Sequence, residues 1–292
     1  MDAAHFAEFW RIQGHRIIET KSCFWYNPQP LVFMSVPYHR AFTPSRRELN
    51  RVLLGAPAAA ARYHDPRGND GGLFVCSDRE YDFPALHPRE RSKTRRGLEN
   101  CSIEQVGFHY LAEHGLSLVA DTLQRQGRDH RAMTHRQWLR YCGAAKKVPG
   151  FEAWGALIKG RLAAFMVTAL VEGYFSILQQ YSARDFLDYH LGYHPNNALT
   201  FTVTKLKLSS DEVACVSYGL KSLEPTPGVE RFKLSMGFRV KPFGESVAFN
   251  PLLTPLLSLG GKKLIRWMAR KNPQSDLWRK ASAVVRAREV KA

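Results

Sequence analysis

The sequence predicts an α/β (α+β) protein with a mixed, mostly antiparallel sheet flanked by helices. Three stretches carry that prediction. First, Phe151 to Ile158 and Arg161 to Val171 are apolar runs separated by Lys159-Gly160. Two such runs around a Gly-containing two-residue turn read as a β-hairpin. Second, another apolar run, Tyr174 to Tyr181, follows Gly173. Third, a helical pattern opens near Pro195-Asn196-Asn197, a strand reads from Val213 to Gly219, and Gly228 to Met236 forms a short amphipathic helix before Gly237-Phe238 enters a last strand.

The elements before this core follow in order. Ala4 to Gly14 reads as a helix. Cys23 to Tyr26 and Leu31 to Val36 read as strands broken by Asn27-Pro28-Gln29-Pro30. Thr43-Pro44 predicts a helix start, with Thr43 as cap and Pro44 first in a helix reaching Leu54. Ala58 to Tyr63 and Leu73 to Cys76 are strand candidates around the loop Asp65 to Gly72. That loop has turn chemistry and lacks the Gly-Lys-Ser/Thr ending of a phosphate-binding P-loop. Pro88 to Glu99 reads as a helix and Cys101 to Val106 as a strand. Leu111, Leu118 and Leu123 give Phe108 to Gln126 helical spacing. Thr134-His-Arg-Gln137 is a capping box for a helix through Ala145.

Composition narrows the function classes. The chain has 292 residues, 45% hydrophobic and 12% aromatic, enough for a sizeable core. No apolar run reaches the ~18–20 residues of a spanning helix, and the N-terminus shows no secretory pattern. The expected compartment is the cytoplasm, with the inner membrane face open as a peripheral site. Five cysteines lie scattered without a Cys-x-x-Cys, which argues against a disulfide framework or zinc ribbon and for buried free thiols. His190 and His194 have i,i+4 spacing, but the Glu of a zincin motif is missing. No Gly-x-Ser-x-Gly elbow occurs.

Charge is the compositional outlier. The formal net charge is +16. Half of it comes from Pro251 to Ala292, where ten Lys/Arg meet two acids, Asp276 and Glu289. Arg89, Arg91, Lys93, Arg95 and Arg96 form a second cluster opposed there by Glu90. Such fields attract anions: nucleic acid, lipid headgroups or phosphorylated substrates.

From Arg89 to Phe249 the order of elements resembles the catalytic half of the GNAT acyltransferase superfamily, most of all its Fem-like and BioF2-like acetyltransferase branch. Lys159-Gly-Arg-Leu-Ala-Ala-Phe165 resembles the GNAT hairpin. Phe232-Lys233-Leu-Ser-Met-Gly237-Phe238 resembles the closing helix and Gly-Phe step. Arg95-Arg96-Gly-Leu-Glu-Asn-Cys-Ser-Ile103 is similar to an Arg-rich helix-to-strand segment of Fem-like proteins. The Gly-rich pyrophosphate loop of ordinary GNAT enzymes is absent, and Tyr193-His-Pro-Asn-Asn197 stands in its place.

The resemblance implies N-acyltransferase activity, an acyl group passing from a thioester, acyl-CoA as co-substrate, to an amine, with no permanently bound cofactor and no metal. It implies backbone N–H donors for the thioester carbonyl at Ile177, Leu178 and Gln179, and Tyr218 as the acid for the leaving thiolate. Glu172 is a candidate base, with Glu152 a weaker one. Asn196, Asn197 and Lys233 would meet the CoA diphosphate. Each has a plainer reading: a strand tyrosine, a hairpin-end carboxylate, helix-capping asparagines and a solvated lysine. A Fem-type transferase using charged tRNA, and a non-catalytic basic binding protein on the same fold, stay open as alternatives. The linear division expected is an N-terminal accessory or GNAT-like unit over 1–88, a catalytic unit over 89–251 and a basic extension over 252–292. The first two would form a degenerate tandem. The extension mixes Leu264, Ile265, Trp267 and Met268 with Lys262, Lys263, Arg266, Arg270 and Lys271. Contact with an anionic membrane surface, packing on the domain, and nucleic-acid binding are its three readings.

Overall fold

The computed structural model describes residues 1–56, 58–67, 71–128, 132–186, 192–221, 227–272 and 282. In chain order it forms α1 (Ala3–Ile12), β1 (Ile17–Glu19), β2 (Phe24–Gln29), β3 (Val32–Val36), α2 (Arg46–Leu54), β4 (Ala60–Asp65) and β5 (Gly71–Cys76). Next come α3 (Pro88–Asn100), β6 (Ser102–Val106), α4 (Phe108–Arg125), α5 (His135–Lys147), β7 (Phe151–Ile158) and β8 (Arg161–Val171). Then follow β9 (Tyr174–Ser182), α6 (Pro195–Leu208), β10 (Cys215–Leu220), α7 (Pro227–Ser235), β11 (Arg239–Phe249), the short α8 (Thr254–Leu256) and α9 (Lys262–Lys271). This is the mixed α/β architecture expected, with helices flanking mostly antiparallel strands.

Three local expectations are corrected. The helix foreseen at Thr43-Pro44 starts later: Ser45 is its cap and forms a reciprocal capping box with Glu48. The Asn27-Pro28-Gln29 break is part of β2, whose pairing with β3 shifts register between Tyr26 and Gln29; a bulge accommodates the proline that a regular ladder would reject. The strand β1 was not foreseen, being only three residues long.

Contacts gather the chain into two compact units: Met1–Gln13, Leu73–Gly219 and Pro227–Lys241 form unit 1, and Gly14–Gly72, Leu220–Thr226 and Pro242–Ala292 form unit 2. These units interleave the linear segments 1–88, 89–251 and 252–292, because distant stretches pair. In unit 1, the Met1 amino group donates to the Leu170 carbonyl at 3.0 Å, and Phe9 packs on Phe151 with ring centroids 4.2 Å apart. In unit 2, β11 runs antiparallel to β4 from Gly244↔Asp65 to Phe249↔Ala60.

Unit 1 orders its strands β5-β10-β9-β8-β7-β6. From β6 to β9 each neighbour is antiparallel, while β9 and β10 are parallel. The two hairpin turns have the left-handed geometry that two-residue turns demand: Lys159 and Gly160 at φ 50° and 74°, Glu172 and Gly173 at φ 50° and 81°. β8 is buried on both faces from Leu162 to Ala169, which explains its unbroken apolar run. Met166, Phe175 and Ile177 join Leu199 and Val203 of α6 in one core cluster. Phe165 meets Trp138 of α5.

Unit 2 orders its strands β1-β2-β3-β4-β11. Trp25, Phe33, Val52 and Leu53 centre its core. All five cysteines are buried and unpaired; burial pushes the Cys215 thiol up to about 11, which leaves it protonated and inert at neutral pH.

Candidate active site

The site begins where one ladder stops. β9 and β10 pair at Tyr174↔Cys215, Phe175↔Val216 and Ser176↔Ser217. Ser217 donates to the Ser176 hydroxyl at 2.8 Å at that last step. Past it, Ile177 to Ser182 on β9 and Tyr218-Gly219 on β10 line a cleft of about 1150 Å³ within unit 1. Opening a parallel pair in this way frees backbone donors and acceptors on both strands to face the cleft.

The exposed strand is also bulged. β9 pairs with β8 at Ile177↔Thr168 and Gln179↔Val167, so Leu178 has no partner opposite. A bulge re-aims the backbone and increases local twist. It falls within Ile177-Leu178-Gln179, the three positions named from the sequence as backbone donors.

Tyr218 lines the cleft. Its phenol donates to Gln180 Oε1. Burial pushes the phenol well above its usual value, with the Thr200 hydroxyl opposing the shift. Gln180 is a hub that the sequence did not reveal. Its Nε2 donates to the Asn196 carbonyl at 3.2 Å and to Thr200 Oγ1 at 3.0 Å, and Asn196 Nδ2 donates to Ser182 Oγ at 2.9 Å. The pair Gln179-Gln180 within a strand was the available signal.

Asn196 and Asn197 both line the cleft at the start of α6. Asn197 is buried and donates from Nδ2 to Glu90 Oε2 at 2.7 Å. His194 caps the helix in the left-handed region, at φ 39°. Gly97 lets α3 approach that end closely: a Cβ there would lie 2.8 Å from the His194 carbonyl oxygen and 3.0 Å from Ala198 Cβ. His190 lies outside the described residues. Among the described residues no cluster of His, Cys, Asp and Glu could hold a metal.

Lys233, on α7, is 9% exposed and lines the cleft. Its ammonium sits 4.9 Å from the Tyr218 ring centroid and 4.7 Å from that of Phe74. No ion pair to it is seen among the described residues. Burial lowers its pKa to about 8, with the Glu230 charge opposing. The plain reading, a solvated lysine, does not describe this side chain.

The two proposed bases are elsewhere. Glu172 occupies the turn between β8 and β9, where its N–H donates to the Met1 carbonyl. That turn is at the opposite end of β9 from the cleft, whose lining begins at Ile177. Sequence order does not say which end of a strand opens, so a place beside a turn does not fix the distance of Glu172 from the cleft. Glu152 is held by Lys207 at 2.6 Å and Trp154 Nε1 at 2.8 Å, and it does not line the cleft. Glu90 is the carboxylate that does. Burial would raise its pKa, but the Lys93 and Asn197 hydrogen bonds outweigh that and hold it below the usual range.

The remaining lining is cationic. Arg89, Lys93, Arg125, Arg128 and Arg231 join Lys233, with Glu90 opposing. Two of the five cations of the α3 cluster, Arg89 and Lys93, thus line the cleft, and a concave positive surface focuses potential on anionic ligands.

No family model and no curated protein sequence matches this chain. Solved structures do. A crystal structure of FemX aligns over 87% of this chain and 92% of its own, at 12% identity and a TM-score of 0.57. The C-terminal DUF2156 domain assigned to a lysylphosphatidylglycerol synthetase from Agrobacterium fabrum covers 86% of this chain and 88% of that chain, at 12% identity and a TM-score of 0.56. L-PGS from Bacillus licheniformis covers 89% and 90%, at 12% identity and a TM-score of 0.55. At such identities the likeness is one of fold, and the chain has a GNAT-like fold of the Fem type.

Proposed function

We propose that the cleft of unit 1 transfers an acyl group from an activated, phosphate-bearing donor to an amine, acyl-CoA being the donor class. The observation that carries this reading is the bulged segment Ile177–Gln179, past the end of the β9–β10 ladder and opening into a cationic cleft. Acyl transfer needs a stabilised tetrahedral oxyanion, and fixed backbone donors in a partly enclosed site are suited to one. In this reading the amine nitrogen bonds to the thioester carbon, the C–S bond breaks, and one proton passes overall from amine to sulfur. Tyr218 supplies that proton to the thiolate: burial keeps the phenol protonated at neutral pH. Lys233, beside Tyr218 and Gly219, meets negative charge near the reacting centre. Arg89 and Arg231 take the donor's phosphates. Glu172 has no part in it.

A second reading is a Fem-type transfer from charged tRNA. The cationic lining and the likeness to a FemX structure and to lysylphosphatidylglycerol synthetase domains favour it. The deciding experiment is a thermal-shift screen with CoA, acetyl-CoA, long-chain acyl-CoAs and charged tRNA, followed by thiol release with amine acceptors. A ligand at ~100 times its Kd stabilises the fold by about 2.7 kcal/mol. A chain-length-dependent shift with acyl-CoA is the expected result. Stabilisation by tRNA alone, with binding that weakens steeply in salt, would replace acyl-CoA by the aminoacyl donor. Indifference to every donor would leave a binding protein on a transferase fold.

A further inference from the structure

Unit 2 carries a surface unrelated to the cleft. From Asn250 to Asn272 the chain has no acidic residue, and it has five Lys/Arg. α9 divides by exposure: Ile265, Met268 and Ala269 are half-buried, while Lys263, Trp267, Arg270 and Lys271 are exposed. At 100° per residue those four fall on one face of the helix. The solvent face is therefore three cations around a tryptophan that is 49% exposed, with the Lys271 ammonium 4.6 Å from the Trp267 ring centroid. The segment leading into α9 exposes more apolar surface: Leu252 is 75% exposed and Leu259 86%.

We infer that this surface docks on an anionic lipid bilayer, with Leu252, Leu259 and Trp267 entering the headgroup region and Lys263, Arg270 and Lys271 meeting lipid phosphates. Charge complementarity selects the occupant. A basic face with an aromatic ring and exposed leucines is the composition of a helix lying in the interface plane. Exposed leucines have no counterpart on a phosphodiester backbone, which disfavours nucleic acid. A second copy of this chain would bring five like charges against five. No described helix is long and apolar enough to cross a membrane, so the contact is with one leaflet.

The test is co-sedimentation of the full chain with phosphatidylglycerol-rich vesicles and with pure phosphatidylcholine vesicles, with RNA binding and oligomeric state measured in parallel. Two variants are compared. Lys263→Gln/Arg270→Gln/Lys271→Gln removes charge, and Leu252→Ser/Leu259→Ser removes apolar surface; both alter exposed side chains, and an unchanged melt confirms folding. The expected result is binding to the anionic vesicles alone. Each cation contributes about fivefold, so the charge variant binds roughly a hundredfold more weakly. The leucine variant also binds more weakly but keeps the salt dependence. Absence of vesicle binding, or binding unchanged in both variants, overturns the proposal. RNA binding lost in the charge variant without vesicle binding overturns it in favour of nucleic acid. Self-association lost in the leucine variant, again without vesicle binding, overturns it in favour of a second copy.

Discussion

Arg62 in unit 2 and Lys233 in unit 1 are two cations shielded from solvent and held in different ways. In unit 2, Arg62 Nε donates to Glu245 Oε1 at 2.7 Å with a second guanidinium contact, and Asp65 accepts two hydrogen bonds from the Arg67 guanidinium at 2.9 and 2.8 Å. In unit 1, Lys233 is 9% exposed and its ammonium lies over the Phe74 and Tyr218 rings, with the Glu230 charge acting on it. Arg89 and Arg231 also line the cleft, as exposed side chains. A buried charge with a partner is part of the fold. A buried cation without one is held at a cost that a bound anion can offset. The difference separates a charge satisfied within the fold from one that a bound anion would stabilise.

Glu245→Ala should break that comparison most visibly. It strands the Arg62 guanidinium, and the loss expected is about 3–5 kcal/mol, read by chemical denaturation. Affinity of the folded protein for an acyl donor should not move; if it falls with stability, the pair serves the ligand as well. Tyr218→Phe should lower thiol release by about a hundredfold while donor affinity holds. Unchanged turnover removes Tyr218 as the acid. Arg89→Gln and Arg231→Gln should each weaken donor binding about tenfold or more and flatten its salt dependence, as titration calorimetry would show. A loss of stability instead would class them with Arg62.

The smallest effects are in pH. Lys233 has a folded pKa of about 8 against an ordinary 10.5. The unfolded chain binds more protons between these values, so stability rises as pH climbs from about 8 to 10.5. Lys233→Met should flatten that limb and raise the neutral-pH melting temperature by about 2–4 °C. Asp65 behaves with the other sign. The Arg67 guanidinium holds its folded pKa at about 2 against 3.8, so its contribution is present above 3.8 and lost as pH falls towards 2. Asp65→Asn should shrink the acid limb, to which Glu90 and Glu48 also contribute, and leave the alkaline one. Melts from pH 2 to 10.5 test both.

Much of unit 1 was legible in the sequence because local chemistry dictates it. Lys159-Gly160 and Glu172-Gly173 are turn pairs whose glycines adopt positive φ, and Thr134 with Gln137 forms the capping box foreseen. The strand character of Ile177–Gln179 was also legible, and its bulge was not. Glu172 marks the limit: its place beside a turn is readable, and the end of β9 that opens is not. Glu90 and Gln180 escaped for a related reason. Their roles depend on α3 meeting α6 and on β10 parting from β9, contacts made across about a hundred residues and about forty.

The sequence by itself determined the order of most strands and helices, the hairpin turns, the Thr134 cap and the excess of cations, because each follows from residues a few positions apart. Tertiary structure alone decided which charges pair and which face a cleft. Arg62 and Lys233 look alike in sequence. One finds Glu245 across a strand ladder and the other finds rings, and only packing sets the distance between a charge and its partner.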